Sequence, residues 1–219
     1  MSQSKADASR LRIGILLAVT AIAAFLRLYR IAELPPGDGY DPAFYGVDAL
    51  RILRGARPLF FPTNFGREAL FSYLVAACIL IWGPTALAVH MASALVGIVT
   101  VPVIYLLAEE LFSEETPALR VGGSTVASGM MAVSYWHLNW SRYGVRAILL
   151  LLFAALTVLF LWRALRGRRE RSWHNAVACG LALGLSMYTY QAARLLPVLV
   201  IAAFALRVIR QRTFERRDA

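Results

Sequence analysis

Asp41 lies in the only long polar stretch of the sequence, Arg30 to Glu68, which holds five of the thirteen acidic residues: Glu33, Asp38, Asp41, Asp48 and Glu68. A carboxylate exposed between two apolar blocks can act as a general base or orient a nucleophile. Asp38 can pair with Asp41 and raise the pKa of one member. Together they could hold a divalent cation, although two carboxylates with no other ligand nearby make a weak metal signal. A structural role competes for Asp41, because Asp followed by Pro42 is a common helix start, with Asp as N-cap and Pro first in the helix. The two roles are compatible in one residue.

A second set is basic. Arg67, Arg142, Arg146 and Arg194 each border an apolar block. Arginine meets phosphate with two parallel donors, so the set suits a lipid-linked phosphate. A single Arg at a helix end otherwise reaches for headgroups, and Arg27 and Arg30 are read as such anchors. Trp136, His137, Trp140, Tyr188 and Tyr190 have the composition of an interfacial aromatic belt, with His137 a belt or hydrogen-bonding residue. Gly180 and Gly184 give a small-xxx-small helix contact. Cys78 and Cys179 lie singly in apolar stretches and read as packing residues with no disulfide and no metal-ligand spacing.

The elements that must position these groups are membrane helices. Of 219 residues, 59% are hydrophobic and 16% charged, and the apolar residues come in blocks such as Ile13–Leu26, Ala147–Trp162 and Leu195–Leu206. Within hydrocarbon the backbone must satisfy its own hydrogen bonds, so the blocks are helices. The sequence predicts a single all-α integral membrane domain over 1–219, with about six spans at 12–29, 86–108, 121–138, 146–164, 175–191 and 194–209. The net charge of +10 does not indicate nucleic acid, since five arginines fall between Arg163 and Arg171 and five between Arg207 and Arg217, each group following an apolar run. That pattern marks cytoplasmic loops. The basic start and Ala21-Ile22-Ala23 resemble a secretory signal, but the apolar run continues unbroken through Leu26, which favours an uncleaved first span.

The segment Ala69–Trp82 decides the topology. Its length as a helix is about 21 Å, short of the hydrocarbon thickness of about 30 Å. If it crossed, both arginine-rich segments would face outward, against the positive-inside rule. It is therefore read as interfacial, which places both termini in the cytoplasm and the 30–85 loop outside, beside Arg142, Arg146 and Arg194. Within that loop Leu34–Gly39 is a turn. A surface helix is predicted over about 42–54, stopped by Gly55, with Ala49, Leu50 and Leu53 on one side and Asp48 and Arg51 on another. Pro58–Gly66 reads as irregular, and Arg67-Glu68 opens a second interfacial helix over about 67–82.

Several stretches together resemble a known family. They are Leu34-Pro35-Pro36-Gly37, Tyr40-Asp41-Pro42-Ala43, Asp48-Ala49-Leu50, Phe60-Phe61-Pro62 and Asn64-Phe65-Gly66-Arg67-Glu68-Ala69-Leu70-Phe71. Ser93 to Gly97 with Pro102 and Tyr105, Trp136-His137, Ser141-Arg142, Arg146-Ala147, Tyr188-Thr189-Tyr190 and Arg194 to Pro197 continue the likeness. The set resembles bacterial membrane glycosyltransferases of the dolichyl-phosphate-mannose protein mannosyltransferase and aminoarabinose transferase superfamily. The resemblance implies a GT-C architecture, with membrane helices and interfacial helices in the first outer loop. It also implies inverting transfer of a sugar from a polyprenyl-phosphate donor to an acceptor on the outer face of the cell (plasma or inner) membrane. Asp41 matches the family's catalytic Asp, while Pro42 stands where the family has Glu. Asp38, Asp48, Arg67, Glu68, Arg142, Arg146, Tyr190 and Arg194 are the expected substrate-binding residues. No cofactor is firmly implied. Members of the family are longer, so the chain corresponds to an N-terminal half, with a further segment or second polypeptide as expected partner. The alternative is a non-catalytic membrane subunit or scaffold of a glycolipid or cell-envelope pathway.

Overall fold

A computed structural model describes residues 2–34, 39–63, 66–166 and 169–215. Among the described residues it is all-α apart from one hairpin of two two-residue strands. In chain order the elements are α1 (Ser2–Leu28), α2 (Tyr40–Leu53), β1 (Phe60–Phe61), β2 (Arg67–Glu68), α3 (Leu70–Trp82), α4 (Ala86–Leu111), α5 (Pro117–Val133), α6 (Tyr135–Tyr143), α7 (Ile148–Arg166) and α8 (Arg169–Ser186). A 3-10 turn (Gln191–Leu195) and α9 (Leu196–Glu215) follow. Among the described residues three stretches are long and apolar enough to cross a membrane: Ser9–Leu28, Ala86–Leu111 and Ile148–Arg166. Helix α5, at 17 residues, is shorter, and α8 begins with the polar run Arg169 to Asn175.

Helix α4 is the axis of the bundle. It is apolar on every side and buries residues along nearly its whole length, as a helix surrounded by others must. Its small residues Ala92, Ser93 and Gly97 let neighbours approach closely. At Gly97 a Cβ would overlap Ser141 and come within 3.0 Å of Arg27 Nε. Pro102 removes one internal hydrogen bond of α4.

Charged groups separate into two ends. At one end Arg12 meets Glu109 (3.6 Å), Arg163 meets Glu110 (2.7 Å) and Arg166 meets Glu114 (2.9 Å). These pairs set α1 antiparallel, and α7 parallel, to α4. At the other end stand Asp41, Arg67, Arg142, Arg146 and Tyr190. Helix α3 both starts and stops at this second end: Leu70 N–H donates to Tyr188 O (3.3 Å) after α8, and α4 begins four residues beyond Trp82. Phe71, Val75, Ala76, Cys78 and Ile79 of α3 are buried in the core shared by α2, α4 and α7. Cys78 and Cys179 are free and buried.

Five expectations change. Helix α2 starts at Tyr40 with Gly39 as N-cap, so Asp41 is its second residue and caps nothing. At Gly39 the Tyr143 hydroxyl occupies the place a Cβ would take, so the N-cap position admits only glycine. Asp48 is buried on the same face as Ala49 while Leu53 is 39% exposed, because Asp48 finds a cationic partner inside. Pro58–Gly66 is not wholly irregular, and Arg67-Glu68 does not open a helix. Phe60 pairs with Glu68 and Phe61 with Arg67 in an antiparallel hairpin, and α3 starts at Leu70. The 121–138 span is broken at Ser134, between α5 and α6. Arg27, expected among headgroups, is fully buried and makes that break: it donates to Ala132 O (3.1 Å) and Met131 O (3.4 Å), carbonyls left open in the last turn of α5. The stop at Gly55 agrees with its φ of +105°.

Candidate active site

The carboxylates and arginines of the polar end are sorted by their partners. Arg67 Nη2 donates to Asp48 Oδ2 at 2.5 Å, with the two side chains 2% and 1% exposed. Arg67 also donates to Thr63 O (3.1 Å) and lies over the Phe44 ring, 4.9 Å from its centre. Its charge is spent inside the loop. The hairpin holds it there, since Arg67 pairs with Phe61 across the strands.

Glu68, the next residue, lies 2.9 Å from Arg146 Nη1 just before α7. That ion pair joins the outer loop to the bundle. The two atoms are misaligned for a hydrogen bond, so the guanidinium is held by charge and by the Tyr190 ring, 5.5 Å away. Arg146 is consequently turned toward a cavity of about 420 Å³, walled also by Asp41, Tyr45, Asn139, Trp140, Tyr143 and Tyr190. Asp41 is exposed at its rim. Burial pushes the Tyr45 phenol up to about 12, so it stays a neutral hydrogen-bond donor at physiological pH. One carboxylate and one guanidinium facing the same space can take a proton and meet a departing anion.

The family model described as dolichyl-phosphate-mannose-protein mannosyltransferase matches residues 69–218, more than half of the chain. The chain belongs to this family. No curated protein and no solved structure matches it. Membership, together with three apolar helices of spanning length among the described residues, makes it a membrane-integrated chain of a glycosyltransferase family. The matched region contains Arg142, Arg146, Tyr190 and Arg194, and it begins beyond Asp41, Asp48, Arg67 and Glu68.

In this mannosyltransferase-family chain the other expected site residues stand apart from the cavity. Arg142 donates to Leu26 O (2.6 Å), Arg27 O (3.3 Å), Tyr29 O (2.7 Å) and Leu34 O (3.2 Å). It closes the carbonyl end of α1 and pins the segment leading to α2, as a cation at a helix C-terminus does. Arg194 is exposed on the 3-10 turn and does not line the cavity. Asp38 lies outside the described residues, and the proposed acidic pair with it. Among the described residues no three His, Cys, Asp or Glu side chains gather as a metal site. His137 is a hydrogen-bonding residue, with Nδ1 2.7 Å from Arg27 Nη2.

Three cavity residues were not anticipated from sequence. Tyr45 was legible, since it stands four residues after Asp41 and therefore on the same helix face. Asn139 and Tyr143 share the same spacing on α6, but no local signal announces a new helix after Ser134.

Proposed function

We propose that this chain carries the donor side of a membrane glycosyltransferase that moves a sugar from a polyprenyl phosphate to an acceptor on the outer face of the membrane. One observation carries the reading: Asp41 and Arg146 face one cavity. Asp41 takes the proton of the acceptor nucleophile as it attacks the anomeric carbon. The bond between that carbon and the phosphate oxygen breaks, the new bond forms on the opposite face, and the polyprenyl phosphate leaves toward Arg146. Tyr45 and Tyr190 flank the guanidinium and donate to the substrate's oxygens. Asp48, Arg67, Glu68 and Arg142 hold the loop that presents Asp41. Arg194, solvent-facing, and Asp38 are assigned no step.

The proposed arrangement has six crossings, by α1, α4, α5, α7, α8 and α9. The ion pairs at one end and the cavity at the other are consistent with successive crossings in alternating directions, and α3 starts and ends at the cavity end. Both termini are then cytoplasmic, and the cavity is outside. Single cysteines placed at Arg163 and Arg169 are expected to react with a membrane-impermeant maleimide only after the cytoplasmic face is opened. Labelling of intact cells there would invert the arrangement.

The chemistry is tested with Asp41→Asn in membranes supplied with a polyprenyl-phosphate sugar. Transfer should fall about 10²–10⁴-fold, with unchanged expression and melting temperature. Unchanged transfer removes Asp41 from the reaction. A wild-type chain that transfers nothing, with donor and acceptor both supplied, points instead to a non-catalytic subunit.

A further inference from the structure

At the end of the bundle opposite the cavity, polar side chains from three helices that pack on one another, α1, α4 and α5, come together. Tyr105 of α4 is 1% exposed. Arg12 of α1, Glu109 of α4 and Arg120 of α5 all stand within electrostatic reach of its hydroxyl. The Tyr105 hydroxyl, Arg12 Nε, Arg120 Nε and Glu109 Oε1 are buried, and none has a hydrogen-bond partner among the described residues. Arg12 and Glu109 form an ion pair, but at 3.6 Å it is too long for a hydrogen bond. Arg120 has no carboxylate partner among the described residues. It stands in the first turn of α5, which carries no acid, so its charge adds to the positive end of the helix instead of offsetting it.

Buried groups left without partners cost free energy that a ligand recovers. Three donors and one acceptor, with one positive charge in excess, call for a partner of mixed character. The donors need an anion, and Glu109 needs a donor beside that anion. The level is that of lipid headgroups, since Glu109 is in the last turn of α4 and Arg120 in the first turn of α5. A guanidinium at a helix end reaches headgroups without any built site. Tyr105 separates the two cases, because a hydroxyl on so buried a side chain cannot reach out and must be met from within. The side chain of Arg12 is 33% exposed and Arg120 is half-buried, which leaves an entry between them.

We propose that Arg12, Tyr105, Glu109 and Arg120 form a site for one phospholipid headgroup that carries an ammonium beside its phosphate, as ethanolamine lipids do. The phosphate oxygens accept from Arg12, Arg120 and Tyr105, and the ammonium donates to Glu109. A choline headgroup has the phosphate but no N–H. On the proposed topology the leaflet is the cytoplasmic one, where pockets of basic residues between membrane helices hold headgroups. The site is independent of the sugar-transfer chemistry at the other end.

The test is thermal unfolding of the full chain in dodecyl maltoside micelles that contain dioleoyl phospholipids differing only in headgroup. Phosphatidylethanolamine is expected to raise the melting temperature by several degrees at saturation. Phosphatidylcholine, with the same net charge, should do little. Tyr105→Phe removes a hydroxyl that is unmet without the lipid, so the lipid-free melting temperature should hold or rise. The same variant should move the midpoint of the phosphatidylethanolamine titration upward at least about tenfold, as loss of a hydrogen bond to a charged group does. Arg120→Gln should move it in the same direction. Equal rises from the ethanolamine and choline lipids, or a midpoint unmoved in both variants, overturn the proposal. So does a rise from phosphatidylglycerol alone, which would report net charge on the arginine-rich segments. The full rise from inorganic phosphate would overturn it too, by making the lipid unnecessary.

Discussion

At the residue scale the polar end shows how little an arginine's type reveals about its task. Arg67, Arg142 and Arg146 have the same side chain in similar sequence settings. One is buried on Asp48, one closes a helix on four carbonyls, and one faces the cavity. Breaking a buried pair leaves a charge without compensation, which costs about 3–5 kcal/mol. Asp48→Asn is therefore expected to lower the unfolding free energy in detergent by about that much, whereas Asp48→Leu with Arg67→Met recovers most of it. Equal losses for the single and double variants would show that the pair contributes nothing beyond packing. Tyr45 gives a pH signature. Its folded pKa of about 12 exceeds the ordinary 10, chiefly through burial, so the folded state binds that proton more tightly. The stabilisation is complete below pH 10 and is lost as pH rises toward 12, amounting to about 2–3 kcal/mol. Unfolding curves of wild type and Tyr45→Phe should converge across that window. Parallel curves would mean that the phenol ionises as freely in the fold as in water.

At the element scale the decisive joint is between α4 and α6. Ser93 Oγ donates to Ser141 O (3.0 Å) and accepts from Gly144 N–H (3.1 Å), and Gly97 leaves room for Ser141 and Arg27. This joint sets where Asn139 and Tyr143 stand, and Tyr143 in turn sets how the chain enters α2 at Gly39. Gly97→Ala is expected to force α6 outward, with an overpacking penalty of about 1–3 kcal/mol seen as a lower melting temperature. Because α6 also walls the cavity, sugar transfer should fall further than stability alone explains. A variant that melts lower yet transfers normally would uncouple this joint from the cavity.

At the scale of the whole molecule, local pattern settled much. Long apolar runs can only be helices in hydrocarbon, so the membrane-embedded α architecture, the helix stopped by Gly55 and the family followed from composition, periodicity and motif. Asp41, Arg146 and Tyr190, named from sequence, do come to one cavity. Their joint chemistry remains to be measured with Asp41→Asn. The break at Ser134 and the burial of Arg27 were not legible, because each depends on a partner distant along the chain. Nor was the hairpin, whose two-residue strands are too short to carry an alternating pattern. Arg27 meets Ala132 across 105 positions and Arg142 meets Leu26 across 116. The sequence by itself determined which segments leave water, since that depends on the transfer free energy of side chains in a row. Only the tertiary structure decided which charges are neutralised inside and which face the cavity. A charge beside a membrane is satisfied by whichever carbonyl or carboxylate the fold brings within about 3 Å, and no local spacing encodes that distance.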